Sequence, residues 1–120
     1  MDNAVALIQK YGAVPKSVMP ETYNSDLTTE FNSTLNLKLR KDAIQLRQLV
    51  ADNASEATIS ETRTGFLSEI YRLCVYAFGE PVETFDFTYR DDDQNYHEDR
   101  GLTPQSFYQK YLNRNFDDYI

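Results

Sequence analysis

Phe31, Leu35, Leu39, Ala43, Leu46 and Val50 follow one another at steps of three or four residues. Only an α-helix brings residues so spaced onto one side, so the pattern predicts a long amphipathic helix from about Thr28 to Asp52. A second run carries two such stripes side by side: Phe66, Ile70, Leu73 and Ala77, then Leu67, Tyr71, Cys74 and Phe78. Adjacent stripes predict that the C-terminal half of this helix is buried around most of its circumference. Thr58 followed by Glu61 matches a capping box and places the start there. Gly79 and Pro81 place the end. Two long helices joined by a short link leave one simple arrangement, an antiparallel helical hairpin with its apolar stripes facing inward. Lys38, Arg40, Lys41, Asp42 and Arg47 are interspersed with the first stripe and read as its solvated face.

The flanking segments read as shorter elements. Ala4, Leu7, Ile8 and Tyr11 trace one face of a first helix, with Gly12 where a left-handed C-terminal cap belongs. From Gly12 to Ser25, Pro15 and Pro20 with Ser17, Asn24 and Ser25 predict an ordered loop. Between Glu83 and Tyr89 the period changes to two, with Phe85, Phe87 and Tyr89 on one face and Thr84, Asp86 and Thr88 on the other, which predicts a half-buried strand. Asp91 to Asn95 reads as a turn and Tyr96 to Glu98 as a short returning strand ahead of Gly101. Thr103 and Pro104 fit an N-cap and first helical position, followed by Phe107, Tyr108, Tyr111 and Leu112 on one helical face. The expected class is mainly α, of α+β type: a long helical hairpin, a small β-hairpin and short flanking helices.

At 120 residues the chain has the length of one domain, and one compact unit is expected. Hydrophobic residues at 41% and aromatics at 13% supply the apolar surface that disordered chains lack. Twelve basic against nineteen acidic residues give a net charge of −7, which repels polyanions and argues against nucleic acid as a partner. The single cysteine rules out an internal disulfide, and the N-terminus lacks the order of a signal peptide, so a cytoplasmic setting is expected. No apolar run approaches the roughly 20 residues of a membrane-spanning helix, and no membrane partner is expected.

Candidate chemistry is sparse. A cysteine nucleophile needs exposure, a base and a group that orients the base. Cys74 falls between Leu73 and Val75 on a helix face expected to be buried, where a thiol behaves as a small hydrophobe. His97, the single histidine, sits beside Glu98 and Asp99 and has the chemistry of a base or metal ligand. The residues around it offer no exposed cysteine or serine to complete a triad, so it reads as a surface histidine near a turn. Asp91, Asp93 and Asn95 have the alternate spacing that opens a calcium-binding EF-hand loop, but Tyr96 stands where glycine is required and Leu102 where a bidentate glutamate is required. Phosphate loops, paired-cysteine zinc sites and His-Glu-x-x-His helices are missing from the sequence. The residues therefore assign no catalytic group, no metal ligand and no cofactor, and they specify a fold without a reaction.

One stretch is more specific. Lys10 to Tyr23 reads Lys-Tyr-Gly-Ala-Val-Pro-Lys-Ser-Val-Met-Pro-Glu-Thr-Tyr and resembles the bleomycin hydrolase and aminopeptidase C family of papain-like cysteine peptidases. Leu35 to Leu49 and Ser68 to Phe78 are similar to two of that family's helices. Glu83-Thr84-Phe85, Tyr89-Arg90-Asp91, Asn95-Tyr96, Leu102-Thr103-Pro104 and Phe107-Tyr108 resemble family motifs in order and spacing. The likeness runs from about Asp2 to Leu112. It implies a thiol aminopeptidase with a papain-like core and a large helical insertion, assembled as a hexamer around a central channel and acting on peptides. Residues 1–25 would then belong to the helical half of the core and 26–120 to the start of the insertion.

By the same resemblance, the family's catalytic cysteine is expected before residue 1 and its histidine and asparagine after residue 120. None of the three is carried over onto this sequence. The glycine-rich stretch that contacts substrate is expected to end just before Asp2. Asp92, Asp93 and Gln94 depart from the more basic turn of the family. The expected role is thus scaffold, with the remainder of the peptidase polypeptide as partner. The alternative is a stand-alone acidic helical module that engages a partner protein.

Overall fold

A computed structural model describes residues 2–112 of the chain. In order they form α1 (Asp2–Tyr11), α2 (Tyr23–Asp26), α3 (Thr29–Ala51), α4 (Glu56–Phe78), β1 (Phe85–Arg90), β2 (Tyr96–Leu102), α5 (Pro104–Phe107) and a π-helical turn, Tyr108–Leu112. These elements make two compact units, one of the segments up to Pro20 and from Pro81 onward, the other of Glu21–Glu80. The architecture is helical with one two-stranded antiparallel sheet.

In the helical unit α3 and α4 form the antiparallel hairpin. Phe31 near the start of α3 meets Phe78 at the end of α4, ring centroids 4.6 Å apart and edge to face. Lys38, two turns further along α3, meets Glu69 on α4. Contacts that climb one helix while descending the other define the antiparallel pairing. The link turns at Asn53, whose φ of 54° uses the left-handed region that asparagine tolerates. α4 begins at Glu56, earlier than the Thr58 start expected from the capping box. The reason is Ser55, whose Oγ accepts the Thr58 N–H at 3.2 Å, so Thr58 stands at the third helical position. Within the segment expected as loop, Thr22 and Ser25 form a capping box that nucleates α2. The Thr22 hydroxyl also donates to the Ala77 carbonyl at 2.7 Å, tying α2 to the end of α4.

The packed face of α3 differs from the stripe that the sequence offered. Phe31, Leu35, Lys38, Asp42, Leu46 and Leu49 are the buried or half-buried positions, whereas Ala43 is exposed, as are Leu39 at 44% and Val50 at 61%. The observed set averages 3.6 residues per step and stays on one side of a straight helix, while a series dominated by steps of four drifts around it. Lys38 and Asp42 thus belong to the packed face. On α4 Phe66, Ile70 and Leu73 are half-buried and Ala77 is buried, and in the last turn Cys74, Val75 and Phe78 of the neighbouring positions are half-buried too. Leu67, Tyr71 and Tyr76 are exposed at 53%, 55% and 81%, so the helix is not enclosed on most sides.

The second unit is built on the β-hairpin. Period-two alternation puts Phe85 and Phe87 on the inner face of β1, where they meet Leu102 and Phe107. Val14, Val18, Val82 and Tyr111 close around this cluster. β2 runs through Gly101 to Leu102, longer than the returning strand expected, because a bulge carries the pairing past the glycine. Phe85 pairs with Leu102 and Phe87 with Asp99, so two residues oppose Asp86. Gly101 takes φ 65° there, and its N–H donates to Asp86 Oδ1 at 2.9 Å. Thr103 and Ser106 form the capping box of α5, with Pro104 at its first turn. On α1 the half-buried side chains are Val5 and Ile8, while Leu7 and Tyr11 of the expected face point outward.

Candidate functional site

The hairpin turn gathers the one histidine and its nearest carboxylate. His97 lies opposite Tyr89 across the ladder, and the two rings stack at 4.9 Å and 14°. Its Nε2 is 2.9 Å from Asp91 Oδ2. Asp91 opens the turn: its Oδ1 accepts the Asn95 N–H at 2.8 Å, and Oδ2 accepts Asn95 Nδ2 at 3.3 Å. Gln94 takes φ 65°, and its carbonyl accepts from Arg90 Nη1 at 2.9 Å. The His97 contact, followed by the Asn95 N–H, holds the Asp91 carboxyl below the usual carboxylate range.

A histidine oriented by a carboxylate is two-thirds of a hydrolytic triad, and the missing third is a nucleophile within hydrogen-bond reach. Cys74, the one cysteine, belongs to the other unit, half-buried on α4. In the hairpin unit the Ser106 hydroxyl is committed to the α5 cap, donating to the Thr103 carbonyl at 3.0 Å and accepting the Thr103 N–H at 2.8 Å. His97 and Asp91 make a turn clamp, with both carboxylate oxygens of Asp91, the first position of the EF-hand-like spacing, turned onto Asn95 and His97. Asp92 and Asp93 are exposed. Among the described residues no group of three or more His, Cys, Asp or Glu side chains is placed to share a metal ion.

Two ionic clusters were not read as such from the sequence. On α3 and α4, Lys38 Nζ reaches Asp42 Oδ2 at 3.0 Å and Glu69 Oε2 at 2.5 Å, and it lies 5.4 Å from the Phe66 ring centroid. Glu69 and then Asp42 raise the Lys38 pKa above its ordinary value. The spacing of Lys38 and Asp42 was the available signal, since residues four apart on a helix are neighbours. In the hairpin unit the Asp99 carboxylate accepts from Lys110 Nζ and, at 2.8 Å, from Tyr111 Oη. No local pattern links Asp99 to Lys110 and Tyr111 in the π-helical turn beyond α5.

The Asp99 cluster makes stability pH-dependent in two windows. Lys110, then Tyr111, hold the Asp99 carboxyl below its usual range, so its contribution is present above about pH 4 and is lost as pH falls through the depressed value. Burial, then the bond to Asp99, pushes the Tyr111 phenol up to about 12, so that contribution is present below about pH 10 and disappears as pH rises through it. Asp99→Asn is expected to destabilise the fold at neutral pH and to converge with the parent as the medium is acidified below pH 4. Urea midpoints measured against pH give the comparison, and parallel curves would refute the assignment.

Comparison with known proteins places this geometry in a family. The Peptidase C1-like family matches residues 1–120. Aminopeptidase G of Lactobacillus delbrueckii subsp. lactis is 48% identical over 117 residues, 98% of this chain and 26% of that protein. Aminopeptidase C of Streptococcus thermophilus is 43% identical over 119 residues, 99% of this chain and 27% of that protein. The crystal structure of PepW from Lactobacillus rhamnosis HN001 superposes with a TM-score of 0.91 at 58% identity, covering 98% of this chain and 26% of that one. The chain thus spans just over a quarter of the length of the relatives it matches. With that match running through the helical hairpin, the β-hairpin and the capped α5 alike, the chain belongs to the Peptidase C1-like family, in the bleomycin hydrolase and aminopeptidase C branch of the papain-like cysteine peptidases.

Proposed function

We propose that these residues are scaffold of a thiol aminopeptidase and supply none of its catalytic groups. The observation that carries this reading is the match itself: aminopeptidases align along almost the whole chain, yet the one cysteine is half-buried in a helix and the one histidine is stacked and clamped in a turn. The exposed apolar side chains of α3 fit the same role. Leu37 at 67%, Ile44 at 65% and Val50 at 61% are surface that the remainder of the polypeptide would cover.

In the whole protein a thiolate supplied outside these residues attacks the carbonyl carbon of the first peptide bond, and the amine of the shortened peptide leaves. Water then releases the acyl group from sulfur. Peptides with a free N-terminus are the expected substrates, a homo-oligomer the expected assembly, and the cytoplasm the expected location.

The test is hydrolysis of a fluorogenic aminoacyl amide by the purified 120-residue chain under reducing conditions, with Cys74→Ala run beside it. No turnover is expected from either sample. Turnover by the chain that vanishes in Cys74→Ala would make Cys74 a nucleophile and end the scaffold reading.

A further inference from the structure

We propose that the outward side of α3 is a docking surface for an acidic amphipathic helix supplied by the remainder of the peptidase polypeptide. The inference rests on the scaffold reading and adds to it the chemistry of what α3 carries. Leu37, Arg40, Ile44, Arg47 and Ala51 recur at alternating steps of three and four. At about 100° per residue they fall within roughly 80° of one another, on the side of the helix opposite Phe31, Asp42 and Leu49. All five are exposed, Leu37 at 67% and Ile44 at 65%. Alternating steps of three and four are the spacing of a seam that receives a second helix along its length. Ser33, Asn36, Leu37 and Arg40 line a hollow at one end of this seam, where a side chain of the partner helix can seat.

The charge of the seam specifies the partner. α3 holds two carboxylates, Glu30 in its first turn and Asp42, which is buried on the other side against Lys38. From Phe31 to Ala51 the outward side therefore carries Arg40, Arg47 and, at its rim, Lys41, with no carboxylate among them. Among the described residues none of these three cations has an ion-pair partner, although the chain has nineteen acidic residues and Lys38, Arg100 and Lys110 are each paired. A helix with carboxylates facing Arg40 and Arg47 and apolar side chains facing Leu37 and Ile44 complements this surface. Burial of the apolar pairs supplies the attraction, and the charges fix the register and exclude basic segments. An anionic bilayer fits less well, because two apolar side chains are too few to hold a helix in the interface and the net charge of −7 repels it. The match to aminopeptidase G covers 26% of that protein, which leaves the larger part of such a polypeptide to supply the segment.

The test is zero-length carbodiimide cross-linking of the whole peptidase polypeptide, which joins an amine to a carboxylate only where the two touch. Lys41 is expected to link to an Asp or Glu outside residues 1–120, in a segment whose carboxylates recur at steps of three or four. Arg40→Glu combined with Arg47→Glu is expected to cut that link by about fivefold or more, because like charges then face each other across the seam. Changing the carboxylates that neighbour the linked one to arginine is expected to restore it in that variant. A Lys41 that stays unlinked, or that links within residues 1–120, would overturn the proposal, as would a link that charge reversal leaves unchanged. A link to a second copy, read from a mixture of isotopically light and heavy chains, would do the same. So would a 120-residue chain that floats with phosphatidylserine vesicles and loses that binding on Arg40→Glu with Arg47→Glu, since the seam would then be a membrane surface. Turnover by the 120-residue chain would end the scaffold reading and this inference together, whereas an unlinked Lys41 beside an inactive 120-residue chain would end this inference alone.

Discussion

Phe107→Ala is expected to destabilise the hairpin unit by about 3–5 kcal/mol, the usual cost of removing a buried aromatic ring. The ring is 6% exposed and stands at the centre of the unit's core. It meets Phe85 at 5.7 Å and Phe87 at 5.2 Å, both edge to face, and Tyr111 at 5.1 Å. Those geometries suit the ring quadrupoles, so the loss includes directional aromatic contacts as well as buried area. The cavity cannot close easily. Phe85 and Phe87 are fixed by strand pairing on both sides of the bulge, and Phe107 itself is fixed by the capping box at Thr103 and Ser106. A whole domain is stable by only about 5–15 kcal/mol, so the substitution removes a large share. Urea unfolding followed by near-ultraviolet circular dichroism, which reports the packed aromatics, gives the measurement. A loss below about 1 kcal/mol would mean that the site collapses, and that the aromatic cluster is not the core of this unit.

How far the fold was legible follows from which signals are local. Period-two alternation at Phe85, Phe87 and Tyr89, the Thr103–Pro104 start of α5 and the glycine after α1 all act within a few residues, and all stand in the structure as read. The long helices were legible in extent, but their buried faces were not. Hydrophobicity marked Leu39, Ala43 and Val50, while the three-dimensional partner of Lys38 is Glu69, 31 residues away, and no spacing rule reaches that far. The same limit hid Asp99, whose partners Lys110 and Tyr111 lie on the element after α5. Thr58 was misread for a different reason. Two hydroxyl residues three apart both suit a helix start, and the earlier one, Ser55, gains an additional turn of helix for the same cap. His97 shows the limit for chemistry: the histidine was visible, but its commitment to Tyr89 and Asp91 is set by hairpin register, which the turn decides.

Gly12→Ala is expected to destabilise the same unit by about 3 kcal/mol or more, through two effects that share one position. The first is conformational. Gly12 ends α1 with φ 83°, its N–H donating to the Ile8 carbonyl at 2.8 Å, and a side chain in that left-handed region costs on the order of 1 kcal/mol. The second is steric and larger. A β-carbon built on Gly12 would overlap the carbonyl carbon and oxygen of Pro104 and the nitrogen of Gln105, all of them backbone atoms that no rotamer change can move. That close approach exists because the Ala13 N–H donates to the Pro104 carbonyl at 3.1 Å and Gln105 Nε2 donates to the Lys10 carbonyl at 2.6 Å. An alanine must therefore break one hydrogen bond or pull α1 off the start of α5. The resulting injury is local and directional, which separates it from a general loss of stability. Hydrogen exchange at the Ala13 amide should accelerate by more than the exchange of the β1 and β2 amides does. Equal acceleration everywhere would show that α1 unfolds only with the whole unit, and an unchanged unfolding midpoint would show that α1 does not dock on α5 through this glycine.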